Sequence, residues 1–313
     1  MRRLRFGLPP VLALLVALSG CGDPMAMNGP TVAELPSATP TVPADTPDSA
    51  EVRAYYTRMQ QDSLSRGLLR TDGGGPDTPY DARILAANFT RIALYDEYTP
   101  SKTGYIDQAE QDPIRKWVMP VRMQLEFGPT VPDAEQQGDR AIVAAYDARL
   151  SRLTKLPIAL TDATPNFHVF VLNEDERRAF GPRLRALYPG ISDNAVKTFT
   201  DMPLSIYCFV YNFTPPGTYT YSSAVAIIRA ELPDLMRTAC YHEELAQALG
   251  PANDSLEARP SIFNDDQEFA YLTTQDELIL RMLYDPRVKP GMTLPEAEPL
   301  VRKIAQELMP GHS

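Results

Sequence analysis

The chain has 313 residues and a formal net charge of −10 at pH 7, with 40 acidic residues against 30 basic ones. That balance excludes a nucleic-acid backbone as partner, because such binding runs on clustered Lys and Arg. It equally excludes purely electrostatic adhesion to anionic lipid.

Residues 1–21 read MRRLRFGLPPVLALLVALSGC: Arg2, Arg3 and Arg5, a short apolar run from Val11 to Leu18, then Ser19, Gly20 and Cys21. This is the layout of an export signal, with an apolar run too short for a permanent transmembrane anchor. The ending Leu-Ser-Gly-Cys resembles the lipobox of bacterial lipoproteins, which implies a signal peptide over 1–20 and lipid attachment at Cys21. A plain secretory signal that happens to end in Cys is the alternative reading. The expectation is therefore a chain held to the cell envelope on its periplasmic side by an N-terminal lipid. Gly22, standing where an Asp would signal retention, points to the outer membrane. Labelled palmitate should enter the full chain and be lost from Cys21→Ala; normal labelling of that variant would overturn the assignment. Cleavage removes three arginines and no acid, so the charge moves from −10 to −13.

Residues 21–48 are rich in Pro, Thr and Ala, with almost nothing to bury, and read as a tether. Residues 49–110 read as a mostly helical region. Helical spacing of Val52, Tyr55, Tyr56, Met59 and Leu64 predicts a helix from Pro47 to Leu68. The GGGP at 73–76 is a loop, and no Gly-Lys-Ser/Thr follows it to make a phosphate loop. The stretch 82–98 has mixed periodicity and carries no assignment. Residues 111–313 form the main domain. Strands are expected at 114–128, 157–162, 167–173, 205–213 and 222–230, and helices at 133–153, 174–187 and about 233–249. Several strands are adjacent in the order, which predicts an α+β body: a twisted mixed sheet with packed helices rather than a regular doubly wound one.

Of the three cysteines, Cys208 and Cys240 remain once Cys21 is committed to lipid. An oxidising compartment favours a disulfide between them, with two free buried thiols as the alternative.

The helix at 233–249 contains YHEELAQALG. Zinc peptidases use H-E-x-x-H because imidazoles at i and i+4 share a metal while the adjacent Glu activates its water. With His242 as first ligand, the second position falls on Ala246, which cannot bind. In the other register Glu243 and Gln247 take the ligand positions and Glu244 the general-base position. Gly250 then marks the turn and Asn253 the third ligand position, followed by Asp254. Met236, Cys240, Glu243, Gln247 and Gly250 lie on one stripe of the wheel. Downstream, SIFND (261–265) resembles the Met-turn of the metzincin peptidases with Phe263 in place of Met, and LTTQDELILRMLYDP (272–286) resembles their closing helix.

These motifs, Cys240 to Gly250, Ser261 to Asp265 and Leu283 to Met292, are similar to those of a bacterial export-signal family known only as a domain of unknown function. The resemblance implies a metzincin-like fold whose zinc ligands have been replaced. A carboxylate and an amide do not suit zinc; Ca²⁺ or Mg²⁺ would suit such oxygen donors better, and no confident cofactor follows. Two functions stay open. One is a non-catalytic binding domain for a peptide, an envelope protein or a cell-wall component. The other is an atypical metal-dependent hydrolase with Glu244 as general base. His168 on the 167–173 strand, His312 near the end of the chain and the absence of G-x-S-x-G offer no other catalytic constellation.

Overall fold

The computed structural model describes residues 46–100, 105–264 and 266–310. The signal, Cys21, almost all of the 21–48 tether and Asp265 of the SIFND turn lie outside them. The described residues form one compact unit. No helix among the described residues is long and apolar enough to cross a membrane.

Helix α1 (Pro47–Ser65) opens on Thr46, which accepts from the Ser49 N–H, and ends before Gly67, whose φ of 76° no helix continues. Helix α2 (Ala82–Ala93) follows, capped by Asp81, and buries Leu85, Phe89 and Ile92 at helical spacing. The stretch left unassigned thus splits: α2, then strand β1 (Tyr95–Pro100), which pairs antiparallel with β2 (Tyr105–Gln111). The region 49–110 is accordingly not helical throughout.

Strand β3 (Val121–Phe127) is shorter than the 114–128 expected. Pro120 precedes it, and Lys116 spends its backbone on an isolated bridge to Thr220. Its alternation is nevertheless as read, with Val121, Met123 and Leu125 buried. Helix α3 (Asp133–Thr154), strand β4 (Ile158–Leu160) and strand β5 (Phe167–Leu172) come next. The single helix expected over 174–187 is instead two, α4 (Glu174–Arg178) and α5 (Gly181–Leu187). Gly181 and Pro182 restart the helix, since proline lacks the N–H that an uninterrupted helix needs. Helix α6 (Asp193–Thr200) follows, then strands β6 (Cys208–Phe213) and β7 (Ser223–Arg229). Three helices close the chain: α7 (Asp234–Gln247), α8 (Thr274–Leu283) and α9 (Leu294–Leu308).

The main sheet has the order β4-β3-β5-β7-β6, parallel except for β6, which runs antiparallel to β7 at one edge. An α+β fold with a mixed sheet is therefore what the chain adopts. Strands β5 and β7 are buried on both faces, as their near-continuous apolar runs require. On one face Phe167, Val169, Val171, Ala226 and Ile228 join the main core with α7 and α8. On the other, Phe170, Leu172, Val225 and Ile227 pack against Phe180, Leu184 and Phe199 of the α5–α6 side. Helix α2 lies against α8 and α9, so the N-terminal region is built into this body.

Candidate functional site

Helix α7 runs beside β6, and its C-terminal end is held by groups from far along the chain. The Trp117 indole Nε1 donates to the Ala248 carbonyl at 2.8 Å, and the Tyr284 hydroxyl donates to the Leu249 carbonyl at 2.8 Å. Both carbonyls would otherwise be orphaned at the helix end. Gly250 then turns at φ 129°. A β-carbon there would sit 2.6 Å from the Arg115 carbonyl oxygen and 2.8 Å from Leu283 Cδ2, so glycine is required by both backbone angle and space. The N-terminal half of α7 is tied to the sheet by a disulfide between Cys208 of β6 and Cys240, with Cα atoms 5.9 Å apart. The pairing favoured from the sequence is thus the one present.

Between β6 and α7 lies a cleft of about 410 Å³. Met236, Ala239, Cys240, Glu243, Glu244 and Gln247 form its helical wall, and residues 205–212 its strand wall. Ile262, Gln267 and Phe269 face them from the chain before α8, and the Gln267 amide donates to the Tyr207 hydroxyl across the cleft. Asp96, Arg115 and Tyr221 also line it. Burial raises the Asp96 carboxyl, and burial together with the Asp96 charge pushes the neighbouring Asp112 to about 6.

The candidates from the helix motif divide here. Glu243, Glu244 and Gln247 share the cleft, as the second register requires. Asp254 lies there too and accepts from Gln247 Nε2 at 2.9 Å. Asn253, expected at the third ligand position, is instead buried away from the cleft lining. Its Nδ2 donates to the Arg91 carbonyl at 2.8 Å and its N–H to the Ile92 carbonyl at 3.1 Å, which ties down the end of α2. Phe263, the residue in place of the Met of the turn, is fully buried in the core, and its neighbour Ile262 faces the cleft.

His242 is turned into the core. Its Nδ1 accepts from the Leu272 N–H at 3.0 Å, and its ring is stacked between Tyr146 and Tyr271, with centroids at 4.1 and 4.6 Å. Burial, with Arg149 adding to it, lowers its pKa to about 3, so the ring is neutral. His168 sits on β5 beside Glu126 at 3.7 Å, and the same burial effect lowers its pKa. The one group of potential metal donors among the described residues is Cys208, Glu243 and Glu244, with no histidine in it. Because the Cys208 sulfur is in a disulfide, it is no thiolate, and two carboxylates from adjacent helix positions do not complete a cage for Ca²⁺ or Mg²⁺.

The sequence reading missed Asp96, Arg115, Tyr207 and Tyr221 as parts of this cleft. No characterised protein and no solved structure matches the chain. Residues 82–303, most of the chain, match the family described as protein of unknown function (DUF2927), and the chain belongs to that family.

Proposed function

We propose that this protein is a lipid-anchored lipoprotein of the bacterial cell envelope whose metzincin-like domain uses the cleft between β6 and α7 as a non-catalytic binding site. The N-terminal signal and Cys21 support the anchoring, and the partner faces the periplasmic side as a peptide, an envelope protein or a cell-wall component. The metzincin-like reading rests on the mixed sheet, on a central helix bearing Glu243, Glu244 and Gln247, and on the Ser261 turn beside it. The observation that carries the non-catalytic reading is the helix register: the cleft receives two carboxylates and an amide, while the one histidine of the motif is stacked in the core. A preserved cleft without imidazole ligands binds without the metal-activated water that peptide hydrolysis needs.

Metal analysis of the purified full chain tests this. The expected result is no stoichiometric zinc, calcium or magnesium and no cleavage of generic peptides. Glu243→His with Gln247→His and Asp254→His should acquire zinc affinity, because these three positions share the cleft. Stoichiometric metal in the native protein, with hydrolysis abolished in Glu244→Gln, would overturn the proposal in favour of the hydrolase with Glu244 as general base.

A further inference from the structure

We infer that the Cys208–Cys240 disulfide masks a zinc site: once a dithiol reductant opens it, the two sulfurs bind Zn²⁺ together with Glu243 and Glu244 at the wall of the cleft. This goes beyond the binding reading above and does not rest on it.

The donors come from two elements already held side by side. Cys208 opens β6 and Cys240 lies in the middle of α7, with Cα atoms 5.9 Å apart. Glu243 and Glu244 follow Cys240 at the i+3 and i+4 positions, the spacing that brings side chains of one helix into contact. One donor atom each from Cys208, Glu243 and Glu244 lies within 4.8 Å of the other two, and all four residues line the cleft. A carboxylate has two oxygens, so each glutamate can give one to a metal and keep the other for its partners in the protein.

Opening the bond completes the set. The thiols of the reductant close to a disulfide as the Cys208–Cys240 bond breaks, passing two electrons and two protons to the protein sulfurs. Zn²⁺ then takes both sulfurs as thiolates and releases the two protons to solvent. With Zn–S at about 2.3 Å, a tetrahedral site places its sulfurs about 3.8 Å apart, a separation that cysteines with Cα atoms this close reach by side-chain rotation. Two thiolates with two carboxylate oxygens suit zinc, whereas Ca²⁺ and Mg²⁺ take oxygen donors and gain nothing from sulfur. Disulfide and metal are thus alternative clasps between β6 and α7, one covalent and one coordinate.

Zinc titration of the full chain carrying Cys21→Ala, in which Cys208 and Cys240 are the remaining cysteines, tests the inference. The oxidised chain should bind no zinc. After reduction by a water-soluble phosphine and removal of the reagent without air, it should bind one equivalent, and the metal should protect both thiols from alkylation. Co²⁺ in place of zinc should give the near-ultraviolet charge-transfer band of thiolate ligation, and excess Ca²⁺ or Mg²⁺ should displace neither. Glu243→Gln with Glu244→Gln keeps the disulfide and should lower the zinc affinity of the reduced chain at least about tenfold. Cys208→Ser with Cys240→Ser should bind none in either state.

Equal zinc affinity in the reduced glutamate variant would overturn the inference, because the sulfurs alone would then hold the metal. So would a reduced chain that binds no zinc, or one that unfolds, read from Trp117 fluorescence, and is not refolded by zinc; these outcomes leave the cleft reading standing. Stoichiometric zinc on the oxidised chain would bring down both, since the disulfide would then mask nothing.

Discussion

Asp276→Ala is expected to destabilise the protein by about 3–5 kcal/mol, because it removes a fully buried carboxyl group and leaves the Ser261 hydroxyl and the Ile262 and Thr273 N–H groups without their acceptor. The Ser261 hydroxyl reaches Asp276 Oδ1 at 2.6 Å, the Ile262 N–H reaches Oδ2 at 3.0 Å, and the Thr273 N–H reaches Oδ2 at 2.9 Å. Alanine leaves these donors without partners in a site closed to water. The Thr273 hydroxyl also caps α8 by accepting from the Asp276 N–H at 3.2 Å, the other half of a capping box. One side chain thus joins the Ser261 turn to α8, and that turn carries Ile262 into the cleft. Urea unfolding of the variant should show the loss directly, and any cleft ligand should bind it more weakly. A change below about 1 kcal/mol would mean that the turn is held by other contacts.

Asp147→Asn is expected to act in the opposite direction and to do so with pH. Asp147 lies on α3 and is 2% exposed, and among the described residues neither carboxylate oxygen has a hydrogen-bond partner. Burial alone pushes its pKa up to about 7 from an ordinary 3.8. A carboxyl raised in this way binds its proton more tightly in the folded chain than in the unfolded one. Its contribution is most favourable below about pH 4, declines as the pH rises toward 7, and is lost above that. A shift of this size corresponds to about 2–4 kcal/mol at pH 8, allowing for relaxation around the ionised group. The asparagine variant should match the parent near pH 4, exceed it by that margin at pH 8, and unfold with a weaker pH dependence in between. Asp112, raised to about 6, titrates in the same window, so the difference between parent and variant is the quantity to read. Equal stability of the two proteins at pH 8 would show that ionised Asp147 is solvated or paired.

Most helices and strands of the main sheet were legible in the sequence because periodicity belongs to neighbouring residues. Val121, Met123 and Leu125 bury one strand face wherever β3 comes to lie, and Met236, Cys240, Glu243 and Gln247 share a helix stripe before any partner is known. The sequence by itself also separated the two helix registers, because Ala246 cannot be a ligand, and it favoured the Cys208–Cys240 pairing by compartment and count. Local breaks were less legible: Gly181-Pro182 divides what looked like one helix, and 82–98 holds a helix and a strand with no clean period of its own.

Which residue meets which was decided by tertiary structure alone. Asn253 and Asp254 are adjacent, yet Asn253 is claimed by the Arg91 carbonyl while Asp254 meets Gln247 in the cleft. Phe263 packs into the core while its neighbour Ile262 faces the cleft, because Asp276 binds the Ile262 N–H and holds the turn in one orientation. His242 becomes a stacked, neutral core residue through Tyr146, Tyr271 and the Leu272 N–H, all distant along the chain. That β6 lies at the sheet edge, with only β7 pairing it among the described strands, emerges only in the folded chain. Periodicity assigns a face to each residue, but which partner occupies that face depends on contacts closed over long stretches of chain, and those contacts exist only in the folded protein.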